Sequence, residues 1–247
     1  MNQIIEQLMK HRSIRKFKAE PVPEQMLESI ISAGQMASTS SNVQAYSIIS
    51  ISDVDKRAKL MELAGNQAYV TESPVFLVWC ADLFRLSEAA ALHSEKMNHY
   101  TDSVENLLVA TVDTALAAQN AAVAAESLGL GVVFIGGIRN HIADVAKELQ
   151  LPELVYPLFG MCLGYPDQEP LLRPRLPLHS VLQHNSYDKE LARSGISSYD
   201  QASSAYLLAR SNGKTSVPWS VQMSKRLSEP VRLHMKSFLQ ERGFMKR

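Results

Sequence analysis

Ile4, Ile5 and Leu8 recur at helical spacing and predict a short amphipathic helix near the start of the chain. Pro23 and Glu24 open a second periodic stretch through Met26, Leu27, Ile30, Ile31 and Met36, with proline where a helix start tolerates it. The polar run Ser38, Thr39, Ser40, Ser41 and Asn42 breaks that helix. Beyond it the pattern predicts a strand over 46–51, a helix over 54–63, a buried strand over 75–81 and a helix over 83–93. The longest helical pattern covers 104–128. Its alanine-rich centre has too little polar surface for an exposed helix, so it must be buried in the domain or at a subunit contact. Gly129 and Gly131 end it, followed by a strand over 132–135, a helix over 142–149 and a strand over 158–163. Prolines 166, 170, 174 and 177 then predict an extended arm that leaves the core. Helical spacing returns at 202–210 and 221–240, where large apolar residues are too few for an independent core.

Composition narrows the class. A chain of 247 residues with 46% apolar content can bury a real core. Basic and acidic residues number 25 each, so no overall field draws the chain to nucleic acid or anionic lipid, and any basic cluster acts locally. Cys80 and Cys162 both sit in apolar strand-like runs and read as buried structural thiols. The start of the chain lacks the features of a signal peptide, and no run approaches 18 consecutive apolar residues, which suggests a reducing cytoplasm.

His11-Arg12-Ser13-Ile14-Arg15 packs three basic side chains and a hydroxyl into five residues at the end of the first helix. It reads as a basic helix terminus or as an anion site. Leu172-Arg173-Pro174-Arg175 supplies a second, stiffened arginine pair, and two separated basic clusters can clamp one phosphate. Gly129-Leu-Gly131 is not a dinucleotide fingerprint, because position 134 is Phe and the order is helix-glycine-strand. Gly136 and Gly137, after Phe134 and Ile135, read as a simple turn or as a place where a flat ligand approaches the backbone. The 38–42 run and Gly65-Asn66-Gln67-Ala68-Tyr69 offer hydroxyls, an amide and an aromatic face, as ligand contacts or as ordinary loop caps. The seven histidines, at 11, 93, 99, 141, 179, 184 and 234, show no metal spacing, and no nucleophile elbow is present. Phosphate, amide and glycine features without an acid-base machine fit a protein whose bound cofactor does the chemistry.

Taken in order, these motifs, with Gln44, Ala125-Glu-Ser-Leu-Gly-Leu-Gly131, Phe134-Ile-Gly-Gly-Ile-Arg-Asn140, Pro157-Leu-Phe-Gly160 and Pro174-Arg-Leu-Pro177, resemble the flavin-dependent nitroreductase family over essentially the whole chain. The likeness is greatest to its larger, NADPH-preferring group. It extends to Tyr187, Tyr199 and Arg210-Ser-Asn-Gly-Lys214 before Trp219. The resemblance implies an α+β fold with a mixed central sheet flanked by helices and a homodimer holding FMN at sites built from both subunits. It also implies a core over 1–165, with 166–247 completing the domain and packing on the partner. His11, Arg12, Ser13, Arg173 and Arg175 would hold the FMN phosphate and ribityl chain, and Arg15 and Gln67 would address the pyrimidine edge. Ser38, Thr39 and Ser40 would come from the loop, and Phe134, Ile135, Gly136 and Gly137 would lie along the ring near N5. Arg210 and Lys214 are candidates for the NADPH 2′-phosphate.

No side chain is assigned as catalytic, because the flavin N5 is the hydride acceptor, and no metal is expected. The implied reaction is ping-pong: NADPH reduces the flavin, then a nitroaromatic, quinone or free flavin takes two electrons from it. The alternatives are an NADPH-FMN reductase supplying reduced flavin to a partner enzyme, or a non-enzymatic binding module without FMN. Two positions depart from the family pattern: Arg173, where relatives often carry Lys, and Glu229, where some carry an arginine linked to substrate preference. Glu105 reads as an exposed helix-start carboxylate or as a residue facing a substrate pocket.

Overall fold

The alternation of helices and strands is realised in a computed structural model that describes residues 2–93 and 100–247. His99 lies outside the described residues. In chain order the elements are α1 (Gln3–Met9), α2 (Glu24–Gln35), β1 (Tyr46–Ser50), α3 (Val54–Leu63), α4 (Tyr69–Glu72), β2 (Val75–Asp82), α5 (Phe84–Ala91) and α6 (Val104–Ser127). They continue with β3 (Gly131–Ile135), α7 (Ile142–Glu148), β4 (Val155–Gly164), α8 (Leu178–Val181), α9 (Lys189–Arg210), α10 (Trp219–Ser228) and α11 (Met235–Glu241). Short 3₁₀ turns occupy Ser40–Asn42 and Gly136–Arg139.

The chain divides into two compact units, Met1–Glu169 with Arg232–Arg247, and Pro170–Val231. In the first unit the strands form an antiparallel sheet in the order β1-β2-β4-β3. A parallel element is added where Ser13 bridges Val132. The β2–β4 register slips between Trp79 and Cys80, opposite Phe159 and Pro157, so Leu158 is the extra residue of a bulge beside a proline that has no N–H for the ladder.

One face of the sheet is covered by α2 and α6, where Ala117, Ala118, Ala121, Ala122 and Ala125 pack with Trp79, Met161 and Leu163. These small side chains let α6 lie close to the sheet. At Gly34, an added Cβ would sit 3.1 Å from the Ala117 carbonyl oxygen, which explains why α2 crosses α6 there on a glycine. The other face is covered by α3 and α7, through Leu60 and Val145, over Phe76, Val78 and Ile135. Helix α6 is long and apolar enough to cross a membrane, yet its inner face is packed and carries the buried Asp113. Its outer face leaves Val104, Leu108, Val112 and Leu116 exposed at every fourth position.

The C-terminal region departs from the sequence expectation. The pattern predicted a helix only over 202–210, whereas α9 begins at Lys189, with the Asp188 carboxylate accepting the N–H groups of Glu190 and Leu191 at 2.8 and 3.1 Å. Gly195 and its serine neighbours hide the helix at the sequence level, and Gly195 is required because a Cβ there would strike Ser180 of α8. The single helix predicted over 221–240 is two, α10 and α11. Glu229 is extended ahead of Pro230, whose ring disfavours helical geometry in the preceding residue and whose nitrogen cannot donate. Phe238, Leu239 and Phe244 bury in the core of the first unit, with Phe244 set edge-on to Tyr156 at 5.1 Å. In the second unit, the Asp200 carboxylate accepts from the backbone N–H and the hydroxyl of Ser220, fixing α10 on α9.

Candidate functional site

The segment 11–15 runs beside the start of β3. The Ile14 N–H donates to the Val132 carbonyl at 3.0 Å, and its buried side chain fills the space over Gly131, where an added Cβ would come within 2.6 Å of it. With Ile14 turned inward, alternation along the extended backbone turns Ser13 and Arg15 the other way. Arg15 is exposed and makes no hydrogen bond or ion pair among the described residues. His11 Nδ1 lies 2.5 Å from Glu126 Oε1 of α6, a contact that fixes the ring's orientation. Arg12 Nη1 donates to Glu169 at 2.9 Å, while its buried Nε has no partner among the described residues. Beside them lies an open cleft of about 710 Å³ lined by Lys10, Arg12, Ile14, Glu126 and Gly131.

The far end of β3 carries the glycine pair, and the two glycines differ. A Cβ on Gly137 would lie 2.5 Å from Gln67 Nε2 and closer still to the Ala64 carbonyl oxygen. On Gly136 it would meet, among the described residues, the end of the Arg139 side chain, with Nη2 at 3.4 Å. Gly137 is therefore a packing glycine, and Gly136 leaves its backbone open. Gln67 Nε2 donates to the Ala64 carbonyl at 2.7 Å and Gln67 Oε1 accepts from the Tyr69 hydroxyl, so one amide hydrogen and one lone pair are unspent. Of the apolar candidates, Ile135 is wholly buried and offers only backbone, and the half-buried Phe134 stands edge-on to Phe159 at 5.1 Å.

Two features escaped the sequence reading. Asp113, on the alanine-rich face of α6, accepts the backbone N–H groups of Ser40 at 3.0 Å and Ala45 at 3.2 Å, anchoring the loop that carries Ser38, Thr39 and Ser40. An acidic residue within an apolar helix face was the available signal. The second is a polar group around Asn140: Arg232 donates to Asn140 Oδ1 from Nε and Nη2 at 3.0 and 2.9 Å, and His234 Nε2 lies 3.0 Å from the Arg139 carbonyl oxygen. Burial and then the Arg232 charge hold the Arg139 guanidinium below its ordinary range. No sequence motif marks this group, because it joins residues about ninety positions apart.

In the second unit, Arg175 Nη1 donates to the Arg173 carbonyl at 2.8 Å, the Tyr199 hydroxyl donates to the Pro174 carbonyl at 3.0 Å, and Arg173 lies 6.0 Å from the Tyr206 ring centre. The arginine pair is thus carried on an arm pinned to α9. Arg210 is the last residue of α9, and Lys214 follows in a turn closed on the Ser211 hydroxyl. Glu229 closes α10, 3.9 Å from Lys225. Glu105 is exposed in the first turn of α6. Burial pushes the Cys80 and Cys162 thiols up to about 12, so neither is a thiolate nucleophile at neutral pH.

Family models for the "Nitroreductase family" match residues 8–165, and for the "Nitroreductase family, C-terminal domain" residues 173–247. The chain belongs to the nitroreductase family. It is 40% identical over 248 residues to the FMN reductase (NADPH) of Bacillus subtilis, and 43% identical over 247 residues to the NADPH-flavin oxidoreductase of Vibrio harveyi, covering all of each. The solved structure of NfrA1 from B. megaterium is similar, with a TM-score of 0.96 and 42% identity over 99% of this chain and 100% of that one.

Family membership gives the observed geometry a common reading. In this nitroreductase, β3 connects a cationic end at 11–15 to a glycine end at 136–137, and Gln67 packs against the latter. The structure thus sets 11–15 beside the start of β3 and Gln67 beside Gly137 just past its other end. The 38–40 loop is fixed separately through α6. No group of histidine, cysteine and carboxylate able to hold a metal occurs among the described residues.

Proposed function

We propose that this chain is an NADPH-dependent FMN oxidoreductase that reduces nitroaromatics, quinones or free flavins by two electrons. The observation that carries the reading is a set of unspent polar groups beside the two ends of β3. Among the described residues Arg12 Nε is buried without a partner and Arg15 makes no hydrogen bond or ion pair, and Gly136 leaves an open backbone next to Gly137, which packs on the Gln67 amide. Such groups suit an anionic headgroup at one end and a flat heterocycle at the other. The names of the full-length relatives support NADPH as the reductant and flavin as the cofactor.

When bound, FMN supplies N5 as the acceptor and donor of hydride, chemistry that no side chain here performs. His11, Arg12 and Ser13 are assigned to its phosphate and ribityl chain, with Arg173 and Arg175 as further phosphate donors. Ser38, Thr39 and Ser40 add hydroxyls and N–H groups. Arg15 and Gln67 are assigned to the pyrimidine edge, where the Arg15 cation would hold negative charge. Gly136, with Phe134 and the backbone of Ile135 and Gly137, forms the floor.

Arg210 and Lys214 are proposed for the 2′-phosphate that separates NADPH from NADH. Arg210→Ala is expected to raise the KM for NADPH about tenfold or more, the weight of one charge-assisted contact, with little change for NADH. Steady-state kinetics with the two nucleotides check this, and equal effects would remove Arg210 from that role.

The protein is further assigned as a homodimer in which residues 166–247 complete the domain and pack on the partner subunit. The exposed stripe Val104, Leu108, Val112 and Leu116, together with Ile4, Ile5 and Leu8 on α1, supports an apolar contact between copies. Two buried unpaired thiols support work in a reducing cytoplasm.

The test of the enzymatic reading is the visible spectrum of the purified protein. Bands near roughly 370 and 450 nm that bleach under anaerobic NADPH are expected from a bound flavin. A colourless protein that takes up no added FMN would overturn it. Relative turnover with free FMN, nitrofurazone and menadione then separates flavin supply from direct reduction.

A further inference from the structure

A carboxylate is rarely placed in a helix face made of alanines, and Asp113 is 1% exposed there. Its two oxygens are occupied by main-chain donors five residues apart, Ser40 N–H and Ala45 N–H. Between these clamped ends the loop holds three non-glycine residues at positive φ, Ser41 at 47°, Asn42 at 58° and Gln44 at 53°. That backbone is unfavourable unless its surroundings over-determine it. The wholly buried Ala45 N–H would otherwise have lost water without finding a partner.

The clamp also determines what the loop presents. The Gln44 N–H donates to Thr39 Oγ1 at 3.4 Å, leaving the Thr39 hydroxyl hydrogen to donate elsewhere. The exposed Ser38 and Ser40 hydroxyls make no hydrogen bond among the described residues. Asp113 is on α6 behind the loop, so it acts through the backbone and not by touching a ligand.

We propose that Asp113 is a positioning residue for the cofactor: by clamping both ends of the 40–45 loop, it orders the Ser38, Thr39 and Ser40 donors before FMN arrives and so sets FMN affinity. The proposal rests on the FMN reading above and extends it to a residue outside the binding surface. Preorganised donors bind more tightly because their ordering cost is met in folding.

The test uses flavin-stripped full-length protein titrated with FMN by fluorescence quenching, for wild type, Asp113→Asn and Asp113→Ala. Thr114→Val is the control, since the Thr114 hydroxyl donates to the Ala110 carbonyl on the same buried face but does not touch the loop. Asp113→Ala is expected to weaken FMN binding at least tenfold. Asp113→Asn, which keeps one acceptor oxygen, should fall between it and wild type. In both variants the Ser40 and Ala45 amides should exchange faster before FMN is added, and the absorption envelope of the bound flavin should shift. If Asp113→Ala does not fold, Asp113→Asn decides. Wild-type affinity in the Asp113 variants overturns the proposal, as does an equal loss of affinity in Thr114→Val at matched melting temperature. Failure of the wild type itself to bind FMN overturns the cofactor reading as well, which separates the two failures.

Discussion

Gly137→Ala is expected to lose flavin retention and about 1–3 kcal/mol of stability or more, the usual cost of overpacking a closed site. The cause is steric. The added methyl would overlap the Ala64 carbonyl oxygen, which belongs to the backbone at the end of α3 and cannot rotate away, and would press on Gln67 Nε2 at 2.5 Å. Relief requires the 64–67 turn to move. That turn is itself held at positive φ by Gly65 at 91° and Asn66 at 56°, and it carries Gln67. Gly136→Ala is the matched control. Among the described residues its methyl would meet the end of the Arg139 side chain at 3.4 Å, so fold and melting temperature should be retained. Thermal unfolding and flavin content of the two purified variants check the pair. A stable, yellow Gly137→Ala protein would show that the turn yields and that the glycine floor is not a fixed surface.

Replacing both arginines of the arm, Arg173→Ala with Arg175→Ala, is expected to weaken FMN binding about 10²- to 10⁴-fold. A hydrogen bond to a charged group is worth about 1.5–3 kcal/mol and each 1.4 kcal/mol is tenfold. Both side chains are exposed, so the fold should survive. The arm is held by its backbone through the Tyr199 hydroxyl on the Pro174 carbonyl, a bond the substitutions leave intact. The double lysine variant keeps both charges but loses the planar fork of the guanidinium and should bind with intermediate affinity. Calorimetric titration at two salt concentrations checks both variants, because phosphate recognition by point charges is the more readily screened. Unchanged affinity in the double alanine variant would remove the arm from the phosphate site.

Much of the fold was legible from residue periodicity. The strand at β1 and the helices at α2, α3 and α7 follow from apolar spacing because each presents one face to a single sheet. Helix α9 was largely hidden, since Gly195 and the surrounding serines have low helix propensity and contribute through close packing on α8. The break between α10 and α11 was signalled by Pro230 but masked by continuing apolar spacing. For the candidate site, the motif at 11–15 and the glycine pair could be found by composition alone. The partners Glu126, Glu169 and Asp113 could not, because they lie far along the chain and reach the motif residues only through the packing of α6 and the end of β4.

The sequence by itself determined the order of most helices and strands, the burial of both thiols and the cationic and glycine segments, because these depend on local propensity and on which residues avoid water, while the α+β class came from the family resemblance. Only the tertiary structure decided that 11–15 lies along β3, that Gly137 and not Gly136 is closed against Gln67, and that Asp113 holds the 40–45 loop. Those facts depend on distances between segments separated in sequence, and a residue's type says which bonds it can make but not which partner chain packing brings within reach.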